Sequence, residues 1–256
     1  LNRSMPLPFV VPAAGPLAPL VPAPAGLDRI TVTGLWAGYG DGPVLQGLDL
    51  QLAAGSICAL VGSNGAGKST LFRCLMGFLA PSRGTLRIDG LPLAEAQRRQ
   101  RVAYVPQSEE VDWQFPIQVR DVVMMGRYGH MNLLRWPAAS DRAAVEAALE
   151  RLELLPLARR QIGALSGGQR KRTFLARALA QQAGVLLLDE PFSGVDARTE
   201  ALIRGQLLDL RDAGGSVLIA SHDLAGIPGF CDRVLLLQGR IIADGPPATV
   251  LAAQRP

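Results

Sequence analysis

Between an apolar run and a helix-forming stretch lies LVGSNGAGKST, Leu60 to Thr70, and no other part of the chain narrows its fold so far. Gly62 to Ser69 fits GxxxxGK[ST], a pattern that needs a buried strand ahead of it and a helix behind. Glycines there let backbone N–H groups of Gly62, Ser63, Asn64, Gly65, Ala66 and Gly67 converge on an anion, and the positive end of the following helix adds to the attraction. Phosphate is the anion this arrangement suits. Lys68 would neutralise β and γ oxygens, Ser69 would offer its hydroxyl to Mg²⁺, and Thr70, beside it in the first helical turn, is expected to belong to the same phosphate-binding set.

The rest of the chain supplies the sheet that such a loop requires. RITVTGLW alternates as a half-buried strand, and VLQGLDLQL and SICALV follow as strands. STLFRCLMGFL reads as a helix, GTLRIDG as a strand ending in an Asp-Gly turn, and RVAYVPQ as a strand closed by Pro106. VRDVVMMGR and SDRAAVEAALERLEL carry helical periodicity, the second with Ser140 as its expected cap; a helical subdomain over about 108–165 is expected. Then come a helix from Gly168 to Gln182, the strand VLLLD, a helix from Ala197 to Ala213, the strand SVLIAS, and a hairpin turning at Gln238-Gly239. Apolar strands interleaved with helices imply a mostly parallel α/β sheet covered on both faces.

No apolar run approaches the roughly 20 residues of a spanning helix, so a membrane role has to come through a partner. The net charge of +4 is mild, without the basic block of a nucleic-acid arm, and no nucleic-acid partner is expected. RKR at 170–172 reads as a solvated helix face, since no aromatic platform is interleaved with it. Cys58, Cys74 and Cys231 are odd in number and widely spaced, which fits neither a disulfide framework nor a CxxC site; buried packing in a reducing cytosol is expected. With only His130 and His222 beside them, no cluster of soft metal ligands is foreseen. Residues 1–26 alternate proline with small apolar residues and are expected to be a disordered extension, leaving one domain over 27–256. A secretory signal is the rival reading there, weakened by prolines that interrupt any h-region; Met5 is a possible start.

VLLLDE places Asp189 and Glu190 at a strand's carboxyl end, where open α/β sheets bind ligands. Asp189 would hold Mg²⁺, and Glu190, turned toward the γ-phosphate, would polarise a water. Downstream of the loop, LSGGQRKR resembles the signature sequence of ABC ATPases. Around it Gln107 in YVPQ resembles their Q-loop glutamine, Asp196 in SGVDA the D-loop aspartate, His222 in SHD the switch histidine, and Tyr39 in WAGYG the ring placed against adenine. Neighbouring Trp36 is the other ring able to cover a base. These motifs stand in family order from about residue 28 to 245.

The resemblance implies a P-loop NTPase fold with a mostly parallel RecA-like sheet, an antiparallel β subdomain and a helical subdomain. It also implies an ATPase using ATP and Mg²⁺, with Glu190, His222 and Gln107 catalytic and the ion held by Ser69, Gln107 and Asp189. Leu165, Ser166, Gly167, Gly168 and Gln169 would clamp the ATP of an opposite subunit, giving a head-to-tail dimer with two nucleotides between the copies. The single phosphate loop argues against tandem translation factors, and the short interval from Gln107 to Leu165 against chromosome-maintenance relatives with coiled-coil arms.

PQSEEVDWQFPIQVRDVVMMGRYGHMNLLRWP resembles the corresponding segment in ATPase subunits of bacterial manganese, zinc and iron importers. On that likeness the chain would energise a metal importer, with manganese favoured, from the cytoplasmic face of the inner membrane. A polytopic permease would dock near the helical subdomain, and an extracytoplasmic metal-binding protein would act indirectly. Trp113, Phe115, Pro116, Tyr128, Met124 and Met125 either line that docking cleft or pack in the core. The alternative is a scaffold ATPase with soluble partners, as in iron-sulfur cluster assembly.

Overall fold

The structure, a computed structural model, describes residues 17, 19–23, 25–107, 113–222 and 226–252. Chain order begins with a long hairpin, β1 (Ile30–Tyr39) and β2 (Gly42–Leu52), then β3 (Ile57–Val61) and α1 (Lys68–Leu75). β4 (Arg83–Ile88), β5 (Leu91–Pro92), α2 (Leu93–Arg98) and β6 (Val102–Val105) follow. A helical stretch comprises α3 (Val119–Met125), α4 (Ala139–Arg151) and, after two short 3-10 turns, α5 (Gly167–Ala180). The chain continues through β7 (Val185–Asp189), α6 (Ala197–Asp212), β8 (Ser216–Ser221), β9 (Arg233–Gln238), β10 (Arg240–Gly245) and α7 (Pro247–Ala252).

Six strands form one sheet in the order β10-β9-β3-β8-β7-β6, parallel except for the edge strand β10. The other sheet, β2-β1-β4-β5, is antiparallel. Period-two geometry divides each central strand between two cores. Ile57, Ala59 and Val61 of β3 pack with α3 to α6 on one face, and Cys58 and Leu60 pack with α1 and the antiparallel sheet on the other. Both faces are therefore dry, which is why these strands read as unbroken apolar runs. In β1 the register shifts between Val32 and Leu35, so Leu35 and Ala37 turn inward and Trp36 is only half-buried. The expected Asp-Gly turn is present, with φ of 52° at Asp89 and 73° at Gly90, the hairpin-type turn that such a pair favours.

Four expectations need correction. Ser140 does not cap α4: the helix starts at Ala139, and the Asp141 carboxylate accepts the Ala138 N–H at 2.9 Å, so an acid inside the first turn reaches back to an orphan donor. The helix after the phosphate loop ends at Leu75 rather than running to Leu79. RKR is not a solvated face. Arg170 lies 3.9 Å over the Trp113 ring and donates to the Gly163 carbonyl, Lys171 donates to main-chain carbonyls near β7, and Arg172 donates to the Leu152 carbonyl and pairs with Glu153. Finally, the part of the expected extension that is described is held in place: Leu17 and Leu20 pack on the core, and the Val21 N–H donates to the Gln182 carbonyl at 3.1 Å. Residues 1–16, 18 and 24 of that expectation lie outside the described residues.

Candidate active site

The loop expected to bind phosphate lies at the carboxyl end of β3 and runs directly into α1. Gly65 and Gly67 have φ of 82° and 108°, a region costly for residues with a Cβ, and a Cβ on Gly67 would also meet Leu45 Cδ2 at 2.6 Å. No side chain caps α1, so its first N–H groups are left for another acceptor. The Lys68 ammonium is buried and donates to the carbonyl oxygens of Gly62 at 2.5 Å and Ser63 at 3.2 Å, which holds it over the loop.

Residues Ser63 to Thr70 line a cleft of ≈ 410 Å³ that Gln107, Asp189, Glu190 and His222 complete from three other strand ends. Gly62 sits just beneath, its carbonyl bound to Lys68. Asp189 and Glu190 are only 7% and 8% exposed. Neighbours on a strand face opposite ways, yet both carboxylates reach this cleft, because β7 ends at Asp189 and Glu190 takes a left-handed φ of 51°. Burial pushes the Asp189 carboxyl above its usual range, the Glu190 charge pushes the same way, and Lys68 opposes them. His222 Nδ1 lies 2.7 Å from Glu190 Oε1, while 61% of its side chain stays exposed. An N–H there donates to the carboxylate and orients it.

The donors available to a cation in this cleft are the Ser69 hydroxyl, the Gln107 amide oxygen and the Asp189 carboxylate, all hard oxygens that suit Mg²⁺. A divalent ion would also relieve the crowding of two buried carboxylates. Chemically, the cleft can cradle a polyphosphate and hold a carboxylate base near its terminal group.

Tyr39 is not among the residues lining this cleft. Its ring is 47% exposed and its hydroxyl accepts from Arg73 at 3.0 Å. Trp36 is absent from the lining too, whereas Val44, at the start of β2, is present. A lone valine near a hairpin turn carries no chemical signal by which to find it.

The LSGGQ stretch lies elsewhere. Leu165 is buried, Ser166 caps α5 by accepting the Gln169 N–H at 3.3 Å, and Gln169 Oε1 accepts the Ser166 N–H at 3.0 Å, a reciprocal capping box. Ser166, Gly168 and Gln169 face a second pocket of ≈ 350 Å³ together with Asp196 and Thr199, while Gly167 beside them has open space around it. Asp196 caps α6, and the Thr199 N–H at 2.8 Å holds its carboxyl below the usual range. Glu153 accepts from Arg198 at 2.8 Å at the rim. This pocket shares no lining residue with the first.

Of the residues read as a docking cleft, Trp113 and Met124 pack inward, Trp113 edge-on to Phe174. Phe115, Pro116, Met125 and Tyr128 are exposed. Leu133, Leu134 and Trp136, which the sequence reading passed over, are more exposed still. The apolar cluster NLLRWP, set in a loop before a helix cap, was the available signal.

Comparison with known proteins adds an independent line. The family described as ABC transporter matches residues 45–193. The manganese transport system ATP-binding protein MntA of Synechocystis sp. is 54% identical over 84% of this chain and 84% of its own length. The chelated iron transport system membrane protein YfeB of Yersinia pestis is 51% identical over 86% of this chain and 73% of its own length. The zinc transport system ATP-binding protein TroB of Treponema pallidum is 44% identical over 84% and 80% respectively. Among solved structures, cbiO1 from Clostridium perfringens, part of the ABC transporter complex cbiONQ, superposes with a TM-score of 0.75 at 33% identity, covering 88% of this chain and 91% of that one.

Proposed function

We propose, from the premise that this chain belongs to the ABC transporter family and hydrolyses ATP, that it energises a transition-metal importer whose cargo is manganese, with zinc and iron as the competing cargoes. One observation carries the mechanistic part: the phosphate loop, Gln107, Asp189, Glu190 and His222 meet in one cleft, and the Ser166 end of α5 opens into another. In this reading the loop N–H groups and Lys68 hold the triphosphate, and Glu190, oriented by His222, takes the proton of the attacking water. Ser69, Gln107 and Asp189 would hold Mg²⁺, which when bound lends positive charge to the phosphate oxygens.

The α5 opening lines a pocket separate from the first cleft, and in this reading another copy of the chain brings a nucleotide to it. Two copies meeting head to tail bring the Leu165–Gln169 opening and Asp196 of each to the γ-phosphate held by the other. Closure excludes water from both sites. No helix among the described residues is long and apolar enough to cross a membrane, so coupling to transport runs through a permease, at whose cytoplasmic face the chain sits peripherally. The exposed apolar side chains Phe115, Met125, Tyr128, Leu133, Leu134 and Trp136, all between β6 and α4, suit contact with a partner's short cytoplasmic helix. An extracytoplasmic metal-binding protein completes the route.

Cells in which the gene is deleted provide the test. Loss of manganese accumulation, restored by the parent chain but not by Lys68→Ala, is the expected result. Loss of zinc or iron instead reassigns the cargo, and unchanged accumulation of all three, with the chain purifying only with soluble proteins, overturns the importer reading.

A further inference from the structure

Lys171 lies in the second turn of α5, the helix that Ser166 caps. Its ammonium donates to the main-chain carbonyl of Glu190 at 3.3 Å and to that of Ser193. These two carbonyls belong to the first and last residues of the turn Glu190-Pro191-Phe192-Ser193, which is closed by its own bond from the Ser193 N–H to the Glu190 carbonyl at 3.3 Å. That turn begins with the left-handed φ of 51° that swings the Glu190 carboxylate into the cleft. An L-residue holds such a φ only when its surroundings fix it, and bonds from a charged donor are about twice as strong as neutral ones. The Glu190 N–H is tied on the other side to the Ala220 carbonyl at 2.9 Å.

We infer that Lys171 is a positioning residue for hydrolysis: by clasping both ends of the 190–193 turn it aims the Glu190 carboxylate, and it makes that aim follow the helix whose capped N-terminus, about one turn before Lys171, opens the second pocket. Within one chain, then, the element offered to the neighbouring copy's nucleotide also sets the base at the chain's own nucleotide. This rests on the reading of Glu190 as the group that activates water.

The experiment compares Lys171→Met, which keeps the apolar stem and removes the ammonium, with Lys171→Arg, in the full chain assembled with its membrane partner. Expected for Lys171→Met is a fall in kcat of about tenfold or more, with KM and ATP affinity within about twofold. Lys171→Arg, able to donate to the same two carbonyls, should keep most of the turnover. In a Glu190→Gln background, Lys171→Met should cause no further loss of single-turnover hydrolysis, a non-additivity that general destabilisation does not produce. Wild-type kcat in Lys171→Met, a loss confined to ATP affinity, or an equal loss on top of Glu190→Gln each overturns the inference. Should Lys171→Met fail to melt cooperatively, Lys171→Leu, which also lacks a donor, is held to the same criteria. Full turnover by Glu190→Gln removes the underlying reading and this inference with it; an inactive Glu190→Gln beside a fully active Lys171→Met overturns the inference alone.

Discussion

At the scale of single residues, backbone conformation decides more than side-chain identity. Asp189 and Glu190 are adjacent, and a continued strand would send them to opposite faces; one left-handed residue puts both in the cleft. Lys68 faces the same space with its ammonium bound to two loop carbonyls. Lys68→Ala should weaken ATP binding by about tenfold to a hundredfold, the worth of a buried charge-assisted contact, and nucleotide titration against the parent measures it. Unchanged affinity would remove Lys68 from the phosphate site. Elsewhere burial works against chemistry: it pushes the thiols of Cys58, Cys74 and Cys231 up to about 12, 11 and 12, which keeps them neutral packing groups.

Between elements, buried ion pairs tie the helical layer together. Arg127, just past α3, donates to Asp141 of α4 at 2.9 Å, to the Ala180 carbonyl of α5 at 2.9 Å and to Gln182 at 2.6 Å. Burial by itself would raise the Asp141 carboxyl, but the Ala138 N–H and the Arg127 guanidinium outweigh it and set it below the usual range. A depressed folded-state value stabilises the fold above the ordinary carboxylate range, and the contribution is lost as pH falls through the lower folded value. Asp141→Ala should cost about 3–5 kcal/mol near neutral pH, since it strands a buried guanidinium. In urea melts from pH 7 downward the gap between parent and variant should narrow on acidification; a constant gap would show that Asp141 acts by packing alone. Helix existence here was legible from periodicity, whereas the α4 cap was not. Ser140 is the better capping residue by type, yet the chain enters the helix two residues earlier, with Ala138 at the cap, and Asp141 takes the orphan N–H.

For the molecule as a whole, the decisive geometry is the separation of two helix openings, that of α1 in one pocket and that of α5 in another, within a single chain. Arg29 and Asp89, each 1% exposed and 3.1 Å apart, pair within the antiparallel sheet, and Arg29 joins that sheet to the rest by donating to the carbonyls of Val21 and Gly214 at 3.0 Å. The segment around Val21 is thereby fastened to the fold. Head-to-tail pairing predicts that Glu190→Gln binds ATP normally, turns over about a hundredfold or more slower, and accumulates as a closed dimer that the parent forms only transiently. Light scattering with and without ATP reads this directly. A Glu190→Gln chain that stays monomeric with ATP and its membrane partner, or a dimer that hydrolyses at the parental rate, contradicts the arrangement.

What the amino-acid order alone determined is everything that depends on near neighbours: the strand-loop-helix that presents N–H groups to phosphate, the apolar runs that must be buried on both faces, and the Asp-Gly and Gln-Gly turns. It also determined, through family likeness, that Gln107, Asp189, Glu190 and His222 belong together, as they do in the cleft. The tertiary structure decided the rest. It turned Trp113 beneath Arg170, drew Lys171 onto the Glu190 turn, fastened Val21 beside Arg29, and left Val44 rather than Tyr39 against the cleft. Apart from Val21 and Arg29, which stand eight residues apart, these join residues distant along the chain, and all of them follow from how whole layers pack and where their polar groups find partners, which no local period encodes.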